Sequence, residues 1–199
     1  FKSIKKLRAD NTRTCCLDDN EELRLLRNCP IFLKPIIITV LYTGMRINEA
    51  LTLTWKDVDL QNDIITIEAS NTKTKKSRML PILPEVREVL MHIEPGKGNK
   101  PVFSTRDGKP YPYTTVYDAF KRARKKAELD HVTIHDLRHT FASRLARKNV
   151  NMSILQEILG HTTPQMTMRY SHQWIESKRQ AMMLISKKGD NGLKVGTNL

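Results

Sequence analysis

The sequence predicts an α+β fold, mostly helical with one small antiparallel β-sheet in the form of a hairpin. Three observations carry that expectation. Apolar residues recur at helical spacing over much of the 199 residues, one pair of β-branched runs flanks a polar turn, and 39% apolar with 28% charged residues is a globular composition. A chain of this length holds one substantial core, or a small domain with an appendage.

The elements follow in order. "FKSIKKLRADNTRT" is polar, basic and aperiodic, so residues 1–14 read as a linker or arm. From "LDDNEELRLLRNC" onward, Asp18 or Asp19 caps a helix carrying Leu23 and Leu26, with Leu25 a further candidate, and Pro30 interrupts it. "LKPIIITVLYTG" is almost wholly apolar up to Gly44 and predicts a buried helix. In "DIITIEASNTKTKKSRMLPI" the β-branched runs and polar middle predict strand, loop and strand, a hairpin with a lysine-rich tip. "PEVREVLMHI" returns to helical spacing, and after the loop "EPGKGNKP" the segment "TTVYDAFKRARKKAEL" is an amphipathic helix with a strongly basic polar face.

In "TIHDLRHTFASRLA", a helix puts Leu137, Phe141 and Leu145 on one stripe and His135, Arg138, Ala142 and Ala146 on the next. The two alanines leave room for something large to approach. Asn151 caps a further helix with Met152, Leu155, Ile158 and Leu159 inward, and Gly160 suits the left-handed position that ends it. His161 then lies past a helix C-terminus, where the dipole favours the imidazolium by a few tenths to about 1 kcal/mol. Thr163 and Pro164 open a short helix expected to carry Tyr170. Residues 186–199, rich in Gly and Asn, read as a loose tail.

Charge narrows the function. Lys and Arg number 34 against 21 Asp and Glu, a formal charge of +13, and such an excess concentrates polyanions around a protein. Nucleic acid is the favoured partner, contacted by the hairpin (Lys75, Lys76, Arg78) and the basic helix (Lys121, Arg122, Arg124, Lys125). No stretch approaches the roughly 18 consecutive apolar residues of a membrane span, so the expected location is cytoplasmic and no membrane is a partner. Cys15, Cys16 and Cys29 are odd in number and lack metal-like spacing, which predicts reduced thiols.

The residues able to do chemistry come in a definite order. Arg46 stands two residues after Gly44, with Glu49 three further on to orient its guanidinium; then come the hairpin lysines, His135 with Arg138, His161 and Tyr170. Each alone has a structural use: a surface ion pair, a solvated helix start, a capping histidine, a packing tyrosine. His131, His135 and His139 share i, i+4 spacing, but no second ligand set accompanies them, so no metal site is expected.

Taken together, these residues resemble the catalytic domain of the tyrosine recombinases, the family of phage integrases and chromosome-dimer resolvases. The likeness rests on "TGMRINEAL", "NTKTKKSRMLP", "HDLRHTFAS", "LGH" and "YSH", in that order over roughly residues 15–185. It implies the tyrosine recombinase catalytic-domain fold, with Tyr170 as nucleophile, Arg46 and Arg138 clamping the scissile phosphate, His135 and His161 assisting, and Lys73 as general acid. Lys75 and Lys76 crowd the same hairpin, and either is able to take the role given to Lys73. The chemistry needs these residue types. Attack on a phosphodiester builds charge on the nonbridging oxygens that two guanidiniums meet, a phenol with pKa near 10 needs help to ionise, and the leaving 5′ oxygen needs a proton.

The resemblance further implies site-specific recombination of double-stranded DNA without cofactor or metal, in a phage or other mobile element. A homotetramer on DNA, a monomer as the isolated domain, accessory directionality factors and a DNA-clamp domain preceding residue 15 belong to the same expectation. "WIESKRQAMMLIS" is expected to form a helix that docks on a neighbouring protomer or on its own chain. Type IB topoisomerase-like relaxation and a non-catalytic DNA-binding module are the alternatives. The compact spacing disfavours the first; Tyr170 with both arginines disfavours the second.

Overall fold

The computed structural model describes residues 16–68 and 77–170, together with Arg179, Met182 and Met183 in helical conformation. The expected arm (1–14), the hairpin tip with Lys73, Lys75 and Lys76, and the tail (186–199) lie outside the described residues, as do Trp174, Ile175 and Ile185. Among the described residues no helix is long and apolar enough to cross a membrane.

Helix α1 (Asp19–Asn28) starts at Asp18, whose carboxylate accepts from Glu21 N at 2.8 Å while Glu21 returns the bond to Asp18 N at 3.0 Å. Its inner residue is Leu25, fully buried. Leu23, expected inside, is 47% exposed, because α1 turns Glu22 and Leu25 inward instead. Helix α2 (Leu33–Thr43) is the buried helix expected, with Leu33, Ile36, Ile37, Val40 and Leu41 in the core and two later helices, α4 (Pro84–Met91) and α6 (Ile134–Arg147), against it. It ends at Gly44 with φ 66°, and a Cβ there would collide with the Phe141 ring. Glycine is thus required twice over: for the backbone, and for the approach of α2 to α6.

After α3 (Ile47–Leu51) and a 3₁₀ turn at Trp55–Asp57, the sheet runs β1 (Val58–Asp59), β2 (Ile64–Ile67) and β3 (Arg78–Pro81), all antiparallel. The hairpin strands are those expected, and β1 adds a short third. Period-2 alternation buries Ile65 and Ile67 of β2 and, across the ladder, Arg78 and Leu80 of β3.

Helix α4 (Pro84–Met91) and helix α5 (Tyr113–Lys126) complete the main core, α5 through Val116, Ala119, Phe120 and Ala123. Helix α6 (Ile134–Arg147) follows, then α7 (Met152–Leu159) and α8 (Pro164–Met168). Asn151 caps α7 by accepting from Ser153 N at 2.8 Å, and Gly160 ends it at φ 61°. Ala142 and Ala146 of α6, Leu155 and Leu159 of α7, and Tyr170 form a second cluster apart from the main core. The group admitted by the two alanines is therefore internal: the leucines of α7 and the Tyr170 ring.

One polar network ties the sheet to the helices. Glu49, 3% exposed, accepts from Arg46 N at 2.7 Å and Arg46 Nη1 at 2.9 Å, and from Arg78 Nη2 at 2.7 Å. Arg78 Nε also donates to the Ile158 carbonyl at 2.9 Å, which reaches α7. Burial alone would raise the Glu49 carboxyl; Arg78, by hydrogen bond and charge, and then Arg46 overturn that and hold it below the usual carboxylate range. A group depressed in the folded state contributes stability above its unfolded pKa and loses it as pH falls through the folded one. Glu49→Gln should therefore destabilise the protein by about 3–5 kcal/mol at neutral pH. It should also flatten the acid limb of the stability–pH curve, and an unchanged limb in urea melts would contradict the role given to Glu49.

Two glycines separate backbone cost from packing cost. Gly108 also has positive φ (72°) but meets nothing within 4 Å, so Gly108→Ala should cost only the left-handed term of about 1–2 kcal/mol. Gly44→Ala should cost more, by the displacement of Phe141, as read from denaturant midpoints.

Candidate active site

Arg46 is the residue before the first turn of α3, placed there because Gly44 reverses the chain leaving α2. Its side chain is 20% exposed, held on one side by Glu49 and open on the other. Helix α6 begins at Thr133, where Asp136 Oδ2 accepts from Thr133 N at 2.8 Å and Oγ1 at 2.6 Å. That cap aims His135 and Arg138 at Arg46. Together with Asn48 and Tyr113 they line a cavity of about 360 Å³.

Arg138 is buried, donating from Nη1 to the Gly44 carbonyl at 2.7 Å and from Nη2 to the Leu159 carbonyl. Both acceptors are carbonyls at helix C-terminal ends, where the backbone is electronegative. Burial first, then the charge of Arg46, brings its pKa down to about 9, which leaves it cationic at neutral pH. One carboxylate, Glu49, thus faces three guanidiniums, and the cavity carries an excess of positive charge suited to a phosphate.

His161 follows Gly160, with Nδ1 at 2.8 Å from Thr167 Oγ1, and lines a second cavity of about 560 Å³ beside Ser77 and Arg78. The dipole argument predicts a protonated ring, and the structure reverses it. Burial, then the charges of Arg138, Arg46 and Arg169, push His161 down to about 3, so the imidazole is neutral. A helix terminus offers about 2 kcal/mol at best, against three nearby cations and lost solvation. His135 is lowered as well, by partial loss of solvent and by Arg138.

Tyr170 lies in the turn after α8 rather than on it. It is 1% exposed, and its hydroxyl sits 2.5 Å from His139 Nδ1. Burial raises the phenol to about 12 in spite of Arg169 and Arg138.

Of the six expected site residues, Arg46, His135 and Arg138 share one cavity, His161 lines the other within the field of both arginines, and Tyr170 is buried on the seam of α6 within the field of Arg138; Lys73 is outside the described residues. Of the expected DNA contacts, Lys121, Arg122 and Lys125 are exposed on α5. Arg78 and Arg124 are not available as expected. Arg78 is 8% exposed because its strand position faces inward to Glu49, and Arg124 turns back to the Val132 carbonyl, bracing the loop before α6. His139 is the residue sequence reasoning missed in this role. The signal for it was its place one turn past His135, beside the alanine seam that receives Tyr170.

Comparison with known proteins fits this geometry. The phage integrase family profile matches residues 16–176. The chain is 32% identical over 178 residues to the tyrosine recombinase XerA of Saccharolobus solfataricus, covering 88% of this chain and 57% of that protein. It is 30% identical over 180 residues to the integrase of Salmonella phage P22, covering 85% and 46%. The chain spans about half the length of these curated relatives. Among solved structures, the catalytic domain of bacteriophage HP1 integrase superposes with a TM-score of 0.68 at 32% identity, covering 90% of this chain and 99% of that one. The Tn1549 transposon integrase in complex with a circular intermediate DNA superposes with a TM-score of 0.74 at 27% identity, covering 90% and 68%. With the profile spanning most of the chain, and the helical architecture with its three-stranded sheet matching an integrase catalytic domain, the chain belongs to the phage integrase family, as a tyrosine recombinase catalytic domain.

Proposed function

We propose that this domain cleaves and rejoins DNA strands through a 3′-phosphotyrosine intermediate, within a recombinase that integrates or excises a phage or other mobile element. The observation that carries the proposal is the cationic cavity of Arg46, His135 and Arg138 with the Tyr170 hydroxyl on the adjoining seam of α6. The phage and transposon integrases among its relatives support the mobile-element role, and the circular intermediate DNA in the Tn1549 complex supports DNA as partner.

The residues divide the work. Arg46 and Arg138, fixed by Glu49 and by two carbonyls, meet the nonbridging oxygens as charge grows on them, with no reorganisation at the moment of reaction. The neutral rings of His135 and His161 contribute hydrogen bonds rather than charge. Lys73 supplies the proton taken by the leaving 5′ oxygen. The phosphoester stays on Tyr170 until a 5′ hydroxyl of another strand attacks it, so bond energy is retained without nucleotide hydrolysis.

A nicked suicide duplex, from which the cleaved fragment diffuses away, tests the reaction. The wild type should form a covalent adduct on Tyr170 through a 3′ phosphate, in excess EDTA as in its absence, because protein cations stabilise the charge. Tyr170→Phe should bind DNA and form none, and Arg46→Ala should slow adduct formation by about 10²- to 10³-fold. A 5′ linkage, or an adduct on another residue, would overturn the proposal.

DNA affinity should fall steeply with salt. If Lys121, Arg122 and Lys125 each neutralise one phosphate, replacing all three with alanine should reduce the slope of log K against log salt by about 0.9 per contact. An unchanged slope would take α5 out of the interface.

A further inference from the structure

Tyr170 needs a proton acceptor, and its surroundings leave few. The ring is 1% exposed, so bulk water is not at hand. Arg138 and Arg169 have no lone pair to offer. Asp136 is spent on the α6 cap, where Oδ2 holds both Thr133 donors. His161 points Nδ1 at Thr167, and His135 lines the phosphate cavity. His139 Nδ1 is the group in contact, at 2.5 Å from the phenolic oxygen, on a ring fixed to the middle of α6 and set edge-on to His135 at 4.7 Å.

Resting on the assignment of Tyr170 as nucleophile, we propose that His139 takes the phenolic proton as Tyr170 attacks the scissile phosphorus. The proton passes from Oη to Nδ1, whose ring already carries its other proton on Nε2 and becomes an imidazolium. The Oη–P bond forms, the P–O5′ bond breaks, and the leaving oxygen takes its proton from the separate general acid. On religation the imidazolium returns its proton to the phenolic oxygen. The free ring is kept neutral, hence able to accept: partial burial first, then the charges of His135, Arg169 and Arg138, hold it at about 4, while Asp136 works the other way. A phosphate seated between Arg46 and Arg138 cancels part of that field and raises the ring's affinity for a proton just where the reaction delivers one.

The test compares the wild type with His139→Gln and His139→Ala on nicked suicide duplexes, using arms of randomised sequence to admit the cognate site. Glutamine retains an acceptor oxygen without basicity, so a purely positioning role would survive it. The expected result is a loss of about 10²- to 10⁴-fold in the adduct rate of His139→Gln, with DNA affinity unchanged. The loss should persist on a 5′-bridging sulfur substrate, which relieves only the general acid. Added imidazole should recover part of the rate of His139→Ala. An adduct rate for His139→Gln within threefold of wild type overturns the inference, as does rescue by the sulfur substrate. Should both variants unfold, nitrogen NMR of the wild-type ring decides: a hydrogen on Nδ1 in the free protein overturns the inference, and a bare Nδ1 supports it. An adduct on Tyr170 that is indifferent to His139→Gln sinks only this inference, whereas the absence of any wild-type adduct on Tyr170 sinks the proposed reaction and this inference together.

Discussion

The Glu49 carboxylate is the constraint on which the site depends. It holds Arg46 at the start of α3 and Arg78 on the inner face of β3, and through Arg78 it reaches the end of α7 at the Ile158 carbonyl. A buried carboxylate without partners would cost several kcal/mol, and so would a buried guanidinium. Paired in this way they fix α3, β3 and the end of α7 to one another. A Cβ on Gly160 would come within 2.8 Å of Arg78 Nη1, so the end of α7 is fitted against the same guanidinium.

The balance of charge within that network produces the chemistry. A single carboxylate does not neutralise the guanidiniums around it, and Arg138, satisfied by carbonyl oxygens rather than by a second acid, keeps its full charge in the cavity. Burial first, and then the same surplus, sets the state of the imidazoles nearby. His139 and His161 are driven to about 4 and about 3, so they enter the reaction as neutral hydrogen-bonding groups. An incoming phosphate cancels part of the local field, and the imidazoles beside those cations regain affinity for a proton. Substrate binding and readiness for proton transfer are thereby coupled with no moving part required.

What was legible in the sequence was its punctuation. Asp18, Gly44, Asn151 and Gly160 mark helix ends by local backbone chemistry, and each ends or starts a helix as expected. The Ala142 and Ala146 seam was legible as a groove, but not its occupant, which is the chain's own α7 leucines and the Tyr170 ring rather than an approaching ligand. What escaped were matters decided across the chain. Nothing local distinguishes Leu23 from Leu25 as the inner face of α1, nor tells an arginine at the end of a lysine-rich hairpin that its strand position faces a carboxylate 29 residues upstream. The His161 ring was misjudged because a helix terminus is visible in sequence and desolvation is not. His139 and Tyr170 are 31 residues apart, and only the packing of α7 between them brings the ring to the hydroxyl.

Helix α6 is also where the chain's entry segment is fastened. Leu17 N donates to Thr140 Oγ1 at 3.0 Å, and the Cys16 thiol lies 2.9 Å from Ser143 Oγ. Arg144 pairs with Glu22 at 2.7 Å and Asp19 at 3.3 Å, while the Tyr42 hydroxyl donates to the other oxygen of Glu22 at 2.8 Å. These bonds lie on the same helix, within about two turns of Arg138 and His139. A rotation of α6 able to move Tyr170 relative to the phosphate cavity would have to break the Thr140 and Arg144 contacts or carry the entry segment with it. Residues 16–22 are thus mechanically joined to the helix that carries Arg138 and the histidines, and the ion pairs of Arg144, one to buried Glu22 and one to exposed Asp19, matter because they act on that helix.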